Sequence, residues 1–203
     1  MYPLFESIRV ENGIIMHPSW HLMRYLDSYT TYYGYEPANG LFDGLIVPEA
    51  CHAGTFKLRI SYNHNSRKAT WEPYTIRDIT SLRLIEANDI DYSLKYTDRS
   101  HLNRLFKQKK DCDDILIIRH GLITDSSYCN IVLFNGEEWH TPAGPLLRGT
   151  ARQRLLASGQ VIARDISVDE LRNYECFKLI NAMRDFETLP SIAVDFIRID
   201  DEC

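Results

Sequence analysis

Three short stretches of the sequence carry residues that suit catalysis. Lys95 lies among apolar and aromatic neighbours, where desolvation would lower the pKa of its amine and allow a Schiff base with a carbonyl. Asp125 directly follows a predicted strand, and the stretch 149–152 opens a predicted helix whose free N–H groups and dipole suit a phosphate. Each also has an ordinary explanation: a surface lysine, a turn-capping aspartate and a helix start like any other.

Other reactive residue types form no site in the sequence. The seven histidines show no metal-ligand spacing, and Ser126 and Ser127 lack the surroundings of a nucleophilic serine. Cys129 precedes an apolar strand, which favours packing over reactivity. The cysteines are odd in number, scattered and without zinc spacing: Cys51, Cys112, Cys129, Cys176 and Cys203. The sequence therefore predicts no metal site and no disulfide framework.

The composition is that of an ordinary globular protein. Its 203 residues are 44% hydrophobic and 25% charged, enough for one core or two small lobes. The net charge of -5 and the pI of about 5.8 favour no general attraction to nucleic acid. No signal peptide pattern opens the sequence and no apolar run reaches membrane length, so we expect no membrane association and a cytoplasmic location.

The elements that must position these residues fall into two predicted lobes. In the small lobe, 1–80, strands at 5–10 and 14–16 flank the hairpin signal Asn12-Gly13, and a helix runs from 18 to about Gly34. Strands at 56–62 and 69–74 complete this lobe.

The larger lobe, 81–203, mixes strands with a few helices. We predict helices at 102–110, 149–156 and 168–174. Strands are predicted at 115–118, 122–124, 131–134, 139–141, 161–163 and 177–180. This irregular alternation predicts an α+β fold rather than a regular parallel βαβ array.

In this order the segments resemble the class IV aminotransferases, the pyridoxal 5′-phosphate (PLP) fold-type IV family. That family includes branched-chain and D-amino acid aminotransferases and aminodeoxychorismate lyase. The matching segments cover most of the chain: 5–10, 21–24, 94–95, 114–118, 121–125, 129–131, 141–142, 146–152 and 181–183. The resemblance implies a small N-terminal α/β lobe, a larger C-terminal mixed α/β pseudo-barrel lobe and PLP as cofactor.

The resemblance also implies a role for individual residues. Lys95 would bind PLP covalently and move protons to and from the substrate, and Asp125 would face the pyridine nitrogen and keep it protonated. The phosphate would be held by the Arg24 side chain, the N–H groups of Thr150 and Ala151, and Asn181.

Three departures from the family pattern bear on the substrate site. The family usually has glutamate where Asp125 stands, so the shorter arm must be offset by a shift of ring or strand. The usual tyrosine one turn beyond the lysine is absent, and Arg99 and Ser100 occupy that region, as in some lyase-like members. The chain begins almost at 5–6, without the family's leading hairpin, so we expect a more exposed or partner-completed pocket.

Three functions stay open at this stage. A lyase of folate biosynthesis would convert 4-amino-4-deoxychorismate to 4-aminobenzoate and pyruvate, and the segment 181–183 favours this branch. A transaminase would act on branched-chain or D-amino acids, and a non-catalytic binding protein would use the same fold. Arg59 is either a site for a substrate carboxylate or an ordinary strand arginine. The resemblance further implies a homodimer with a small amino compound as substrate.

Overall fold

The computed structural model describes residues 1–198, so Cys203 and the end of the predicted larger lobe lie outside the described residues. The chain forms two compact units. Unit 1 contains 1–76 together with 94–98, and unit 2 contains 77–93 and the chain from Arg99 onward. Lys95 therefore packs within unit 1, although the division expected from the sequence assigned it to the lobe 81–203.

Unit 1 is built on a four-stranded antiparallel sheet. Its strands are β1 (Leu4–Glu11), β2 (Ile14–Ile15), β3 (Thr55–Tyr62) and β4 (Arg67–Pro73). They lie in the order β2-β1-β3-β4. The β1–β2 connection has φ of 48° at Asn12 and 82° at Gly13, the pair of positive angles that a tight hairpin requires. The strands and the hairpin predicted for this region are confirmed.

One long helix, α1 (Pro18–Tyr33), packs against this sheet. It begins with proline, whose missing N–H costs nothing at a helix start. It ends at Gly34, where a φ of 82° lets the backbone N–H donate to the Thr30 carbonyl. The buried face of the helix consists of His21, Tyr25, Ser28 and Tyr29. The predicted helix is thus confirmed, and its face carries two polar side chains into the core.

Unit 2 is built on a nine-stranded mixed sheet. Its strands are β5 (Leu82–Glu86), β6 (Asp114–Arg119), β7 (Leu122–Ser126), β8 (Asn130–Phe134), β9 (Trp139–Pro142), β10 (Ile162–Arg164), β11 (Cys176–Ile180), β12 (Ile192–Ala193) and β13 (Ile197–Arg198). The main order is β10-β9-β8-β7-β6-β5-β13, and β11 pairs with β8 and β12. Three pairs, β5–β6, β5–β13 and β9–β10, are parallel.

Two α-helices accompany this sheet, α2 (Ser100–Phe106) and α3 (Thr150–Ala157). The helix predicted at 102–110 is α2 followed by a 3-10 turn, Lys107–Lys109. The short helix predicted at 168–174 is a 3-10 helix, Asp169–Asn173. The strands β5, β12 and β13 were not predicted from the sequence.

The α+β class is confirmed, since a few helices accompany two large sheets. Within 1–198 no helix has the length and apolar character needed to cross a membrane. The same residues contain no group of three or more His, Cys, Asp or Glu side chains placed to hold a metal ion.

Candidate active site

The residues predicted to act together are distributed over both compact units. Unit 1 contains Arg24 and Lys95. Unit 2 contains Asp125, Thr150, Ala151 and Asn181. Their joint contact with one cofactor stays a prediction.

Arg24, predicted to bind a phosphate, is held by a buried carboxylate in unit 1. Its Nε donates to Glu6 Oε1 at 2.8 Å, and its Nη2 donates to Glu6 Oε2 at 2.5 Å. This two-point contact fixes the plane of the guanidinium, which a lysine could not do. The Arg24 side chain is 11% exposed, whereas that of Glu6 is completely buried.

A buried histidine completes the support of Arg24. His21 Nδ1 lies 2.7 Å from Glu6 Oε2. Burial alone would raise the pKa of Glu6, but the charge of Arg24 and the hydrogen bonds from His21 and Arg24 lower it from 4.5 to about 2. Burial lowers the pKa of His21 from 6.5, so its ring is neutral at pH 7 and Nδ1–H donates to the carboxylate. At neutral pH the cluster is therefore one ion pair with a neutral donor beside it.

Lys95 lies beside β1 in unit 1, on an aromatic ring. The Phe5 N–H donates to the Lys95 carbonyl at 3.1 Å, and Lys95 Nζ is 4.9 Å from the centre of the Phe5 ring. Arg59 Cζ is 3.6 Å from the same ring centre, and Arg59 Nε donates to Ser61 Oγ at 3.2 Å. Two cations therefore share one ring, an arrangement that the ring's negative faces stabilise. The predicted role of Arg59 toward a substrate carboxylate stays a prediction.

Asp125 lies on β7 in unit 2 and is 5% exposed. Its Oδ1 accepts a hydrogen bond from Asn130 Nδ2 at 2.8 Å, and its Oδ2 accepts one from the Leu147 N–H at 2.9 Å. Burial raises the pKa of Asp125 from 3.8 to about 6, although these hydrogen bonds and the charge of Arg152 favour the ionised form. The turn after β7 is capped by Ser126, whose Oγ accepts from the Cys129 N–H, so Asp125 is not the turn cap.

The start of α3 lies directly after the segment that contacts Asp125. Gly149 is the N-cap and no side chain caps the helix. The first N–H groups, at Thr150 and Ala151, have no carbonyl partner in the preceding turn, because α-helical bonding starts four residues in. Both residues are buried. The positive end of the helix dipole and these donors suit an anion, and the phosphate contact predicted for Thr150 and Ala151 stays a prediction.

Arg152 adds a buried cation to this region. It is 4% exposed, and its Nη2 donates to the Pro142 carbonyl at 2.7 Å. Burial lowers the pKa of Arg152, and the charge of Asp125 opposes this. The acid and the arginine therefore stabilise each other's charged forms inside unit 2.

Asn181 is engaged in a local network at the end of β11. Its Nδ2 donates to Cys129 Sγ at 3.2 Å, and its side-chain oxygen accepts from the Met183 N–H at 2.9 Å. Burial raises the pKa of the Cys129 thiol to about 12, so this cysteine is packed and protonated, which confirms the expectation of a structural cysteine. The phosphate contact predicted for Asn181 stays a prediction.

Four residues of these networks were missed at the sequence level: Glu6, His21, Asn130 and Arg152. One signal was present, because Glu6 shares a strand face with Leu4, Ile8 and Val10. A charged residue on an otherwise apolar strand face needs a buried partner. Nothing in the sequence identifies that partner, which lies 15 to 18 residues away.

The fold and these buried networks define an α+β protein with an acid placed beside an uncapped helix start. A family model described as amino-transferase class IV matches residues 3–188. The chain therefore belongs to the class IV aminotransferase family, and the fold type expected from the sequence is confirmed.

Three proteins illustrate what this chain is similar to over most of its length. An uncharacterized protein of Haemophilus influenzae is 38% identical over 185 residues, covering 90% of this chain and 98% of that protein. The crystal structure of a "putative 4-amino-4-deoxychorismate lyase" from Haemophilus somnus is 37% identical with a TM-score of 0.84, covering 90% of this chain and 97% of that one. A hypothetical aminotransferase from Mycobacterium tuberculosis, in a PLP-bound form, shares the fold at 17% identity and a TM-score of 0.68, covering 94% of this chain and 80% of that one.

Proposed function

We propose that the chain is a PLP-dependent lyase that converts 4-amino-4-deoxychorismate to 4-aminobenzoate and pyruvate. The observation that carries the proposal is the buried Asp125 carboxylate, hydrogen-bonded to the segment that opens α3. Membership of the class IV family supports PLP as the cofactor. The 37% identical Haemophilus somnus protein, whose crystal structure is described as that of a "putative 4-amino-4-deoxychorismate lyase", supports the lyase activity.

Two features of unit 2 fit a phosphorylated pyridine. The Thr150 and Ala151 N–H groups are donors at the positive end of a helix dipole, which suits a phosphate dianion. The Asp125 carboxylate has a pKa raised by burial to about 6, so a protonated ring nitrogen would stabilise its ionised form. Both oxygens of Asp125 accept hydrogen bonds from unit 2, which hold the carboxylate in one orientation.

Two features of unit 1 fit the same cofactor. Glu6 engages Nε and Nη2 of Arg24, which leaves the Nη1 hydrogens to donate to a phosphate oxygen. Lys95 supplies the amine that would bind the aldehyde carbon covalently. When bound, PLP supplies an electron-withdrawing ring that takes up the electron pair left when a substrate bond breaks. Lys95 Nζ would remove the ring proton of the substrate, the bond between the ring and the enolpyruvyl oxygen would break, and the proton would pass to the released enolpyruvate to give pyruvate. The Asp125 carboxylate would keep the pyridine nitrogen protonated.

The lyase is preferred to a transaminase for two reasons. The segment 181–183 resembles the lyase branch, and Arg99 and Ser100 stand where other family members carry a tyrosine. Arg99 is anchored in unit 2, since its Nη2 donates to the Ser127 carbonyl at 2.6 Å and its guanidinium stacks on Tyr128 at 4.2 Å. A transaminase and a non-catalytic binding protein are the outcomes that the experiment must separate from the lyase.

We also propose a cytoplasmic location and a homodimeric state for the protein. Within residues 1–198 the cysteines are free thiols (Cys51, Cys112, Cys129 and Cys176), which supports a reducing compartment such as the cytoplasm. We expect a homodimer, as the family resemblance implies, and light scattering on the purified protein measures its mass.

The experiment begins with cofactor uptake. Apoprotein is mixed with PLP, reduced with borohydride and digested, and mass spectrometry locates the adduct. We expect the adduct on Lys95, absent in Lys95→Ala and retained in Lys68→Ala, an exposed lysine on β4 that serves as the control. Protein that takes up no PLP contradicts the enzymatic proposal and favours the binding protein.

The second step distinguishes the two enzymes. The holoenzyme is incubated with 4-amino-4-deoxychorismate, and separately with D- and L-amino acids plus 2-oxoglutarate. Release of 4-aminobenzoate and pyruvate without a keto acid supports the lyase. Amine transfer to 2-oxoglutarate without such release would replace the lyase by a transaminase.

A further inference from the structure

Asn130 connects two separate segments of unit 2 through one side-chain amide. It is the first residue of β8 and pairs directly with Asp125 on β7, so the two side chains lie on the same face of the sheet. Its Nδ2 donates to Asp125 Oδ1 at 2.8 Å and to the Leu147 carbonyl at 2.9 Å. Since Asn130 is 5% exposed, both bonds are shielded from water.

Leu147 closes this arrangement. Its N–H donates to Asp125 Oδ2 at 2.9 Å, and its carbonyl accepts from the Gly149 N–H at 2.8 Å as well as from Asn130. The Asp125 carboxylate, the Asn130 amide, and the backbone N–H and carbonyl of Leu147 thus form a closed ring of hydrogen bonds. This ring ends two residues before the N-cap of α3.

Gly149 is packed against the other end of the amide. A Cβ at this position would lie 2.0 Å from Asn130 Oδ1 and 3.1 Å from Cγ. The backbone angles of Gly149, φ -63° and ψ 142°, suit any residue. The amide of Asn130, and not the backbone conformation, therefore requires glycine at the helix N-cap.

We propose that Asn130 is a positioning residue that fixes the Asp125 carboxylate relative to the first turn of α3. The Asp125 carboxylate, which would bind the cofactor's ring nitrogen, and the first N–H groups of α3, which would bind its phosphate, are then held at a fixed distance from each other. This inference rests on the proposed function, since it concerns the same bound PLP. Asn130 acts only through Asp125 and the 147–149 segment, and no contact of its own with the cofactor is needed.

Two variants test the proposal from opposite sides. Asn130→Ala removes the amide, and Gly149→Ala keeps the amide but displaces it. The matched controls are Asn103→Ala, an exposed asparagine on α2, and Gly144→Ala, where an added Cβ meets nothing within 4 Å. For each apoprotein, equilibrium titration gives the affinity for PLP and for an analogue in which CH replaces the ring nitrogen.

Wild type should prefer PLP to this analogue, because only PLP can pair with Asp125. In both test variants we expect PLP affinity to fall roughly 10- to 100-fold, the range for losing a hydrogen bond to a charged group. The preference for PLP over the analogue should fall together with the PLP affinity in both test variants, whereas both control variants should keep the wild-type preference. A purely structural role would weaken the two ligands equally.

Each remaining outcome has a definite meaning. Wild type that binds PLP while both variants keep the full preference overturns the inference and leaves the proposed function standing. Equal binding of PLP and the analogue by wild type also overturns the inference, because Asp125 would then make no contact with the ring nitrogen. The proposed function then depends on the assay for release of 4-aminobenzoate and pyruvate. Wild type that binds no PLP overturns the proposed function and this inference with it. If Asn130→Ala does not fold, Gly149→Ala decides the outcome.

Discussion

Replacing the buried Glu6 by glutamine should remove most of the acid sensitivity of unit 1. Glutamine keeps the size of the side chain but removes the charge that binds Arg24. The lowering of the Glu6 pKa from 4.5 to about 2 corresponds to about 3 kcal/mol of stability at neutral pH, at about 1.4 kcal/mol per pH unit. Removing one partner of a buried ion pair typically costs 3–5 kcal/mol, which agrees in size.

The sign of the pH dependence follows from the direction of this shift. Because the pKa of Glu6 is lower in the folded state than in the unfolded state, its contribution is complete above about pH 4.5. It is lost as the pH falls toward 2. The lowered pKa of His21 adds a separate acid-dependent loss that begins below its ordinary 6.5.

Tryptophan fluorescence can follow unit 1 alone. Trp20 and Trp71 lie in unit 1, and Trp139 lies in unit 2, so a Trp139→Phe background restricts the signal to unit 1. Urea unfolding between pH 7 and pH 2.5 then gives the free energy of unfolding at each pH. We expect Glu6→Gln to lose about 3 kcal/mol at pH 7 and to show a flatter slope below pH 4.5.

Glu36→Gln, at an exposed position of unit 1, should behave like wild type. If Glu6→Gln costs less than about 1 kcal/mol at pH 7 and keeps the wild-type slope below pH 4.5, the ion pair with Arg24 does not stabilise the fold as argued.

Four further predictions concern the candidate site. Lys95→Ala should abolish turnover while still binding PLP through its phosphate, which steady-state assays and equilibrium dialysis measure; normal activity would remove this lysine from the mechanism. Arg24→Ala should mainly weaken PLP affinity, and an unchanged dissociation constant would contradict its contact with the phosphate. Asp125→Asn should bind PLP but turn over more slowly, because a neutral amide supports a protonated ring nitrogen poorly; a wild-type kcat would refute this. Iodoacetamide at pH 8 should spare Cys129, whose pKa burial raises to about 12, and should label the partly exposed Cys176 before it; labelling of native Cys129 would refute its burial.

Local patterns predicted most of the framework. Alternating and apolar runs located β1, β3 and β6–β9, and the Asn12-Gly13 pair located the first hairpin, because these signals act over a few residues. The strand β5 was missed because Arg83 interrupts its apolar run, although the first four residues of the strand are all buried. The strand is buried because it pairs in parallel with β6 on one side and with β13 on the other. The sequence of β5 alone does not reveal these two neighbouring strands.

The hydrogen-bond networks around the site could not be predicted from the sequence, because they join segments that are distant in the chain. The acid at 125 could be singled out by its place after a strand, but its bonds to Leu147 and Asn130 join segments 5 to 22 residues apart. In the same way, Arg24 was assigned toward a phosphate while its tight contact with Glu6 was unforeseen. Composition and spacing indicate which residues can react, whereas long-range pairing decides what holds them.

The glycine at 149 carries a consequence for how this sequence can drift over evolutionary time. Only glycine fits at this position because the side-chain amide oxygen of Asn130 occupies the space that a methyl group would need. Substitutions at the two positions should therefore covary. A homologue with a side chain at 149 should have a residue smaller than asparagine at 130, acquired earlier or at the same time. An alignment rich in distant homologues would reveal this as correlated change between two sites 19 residues apart.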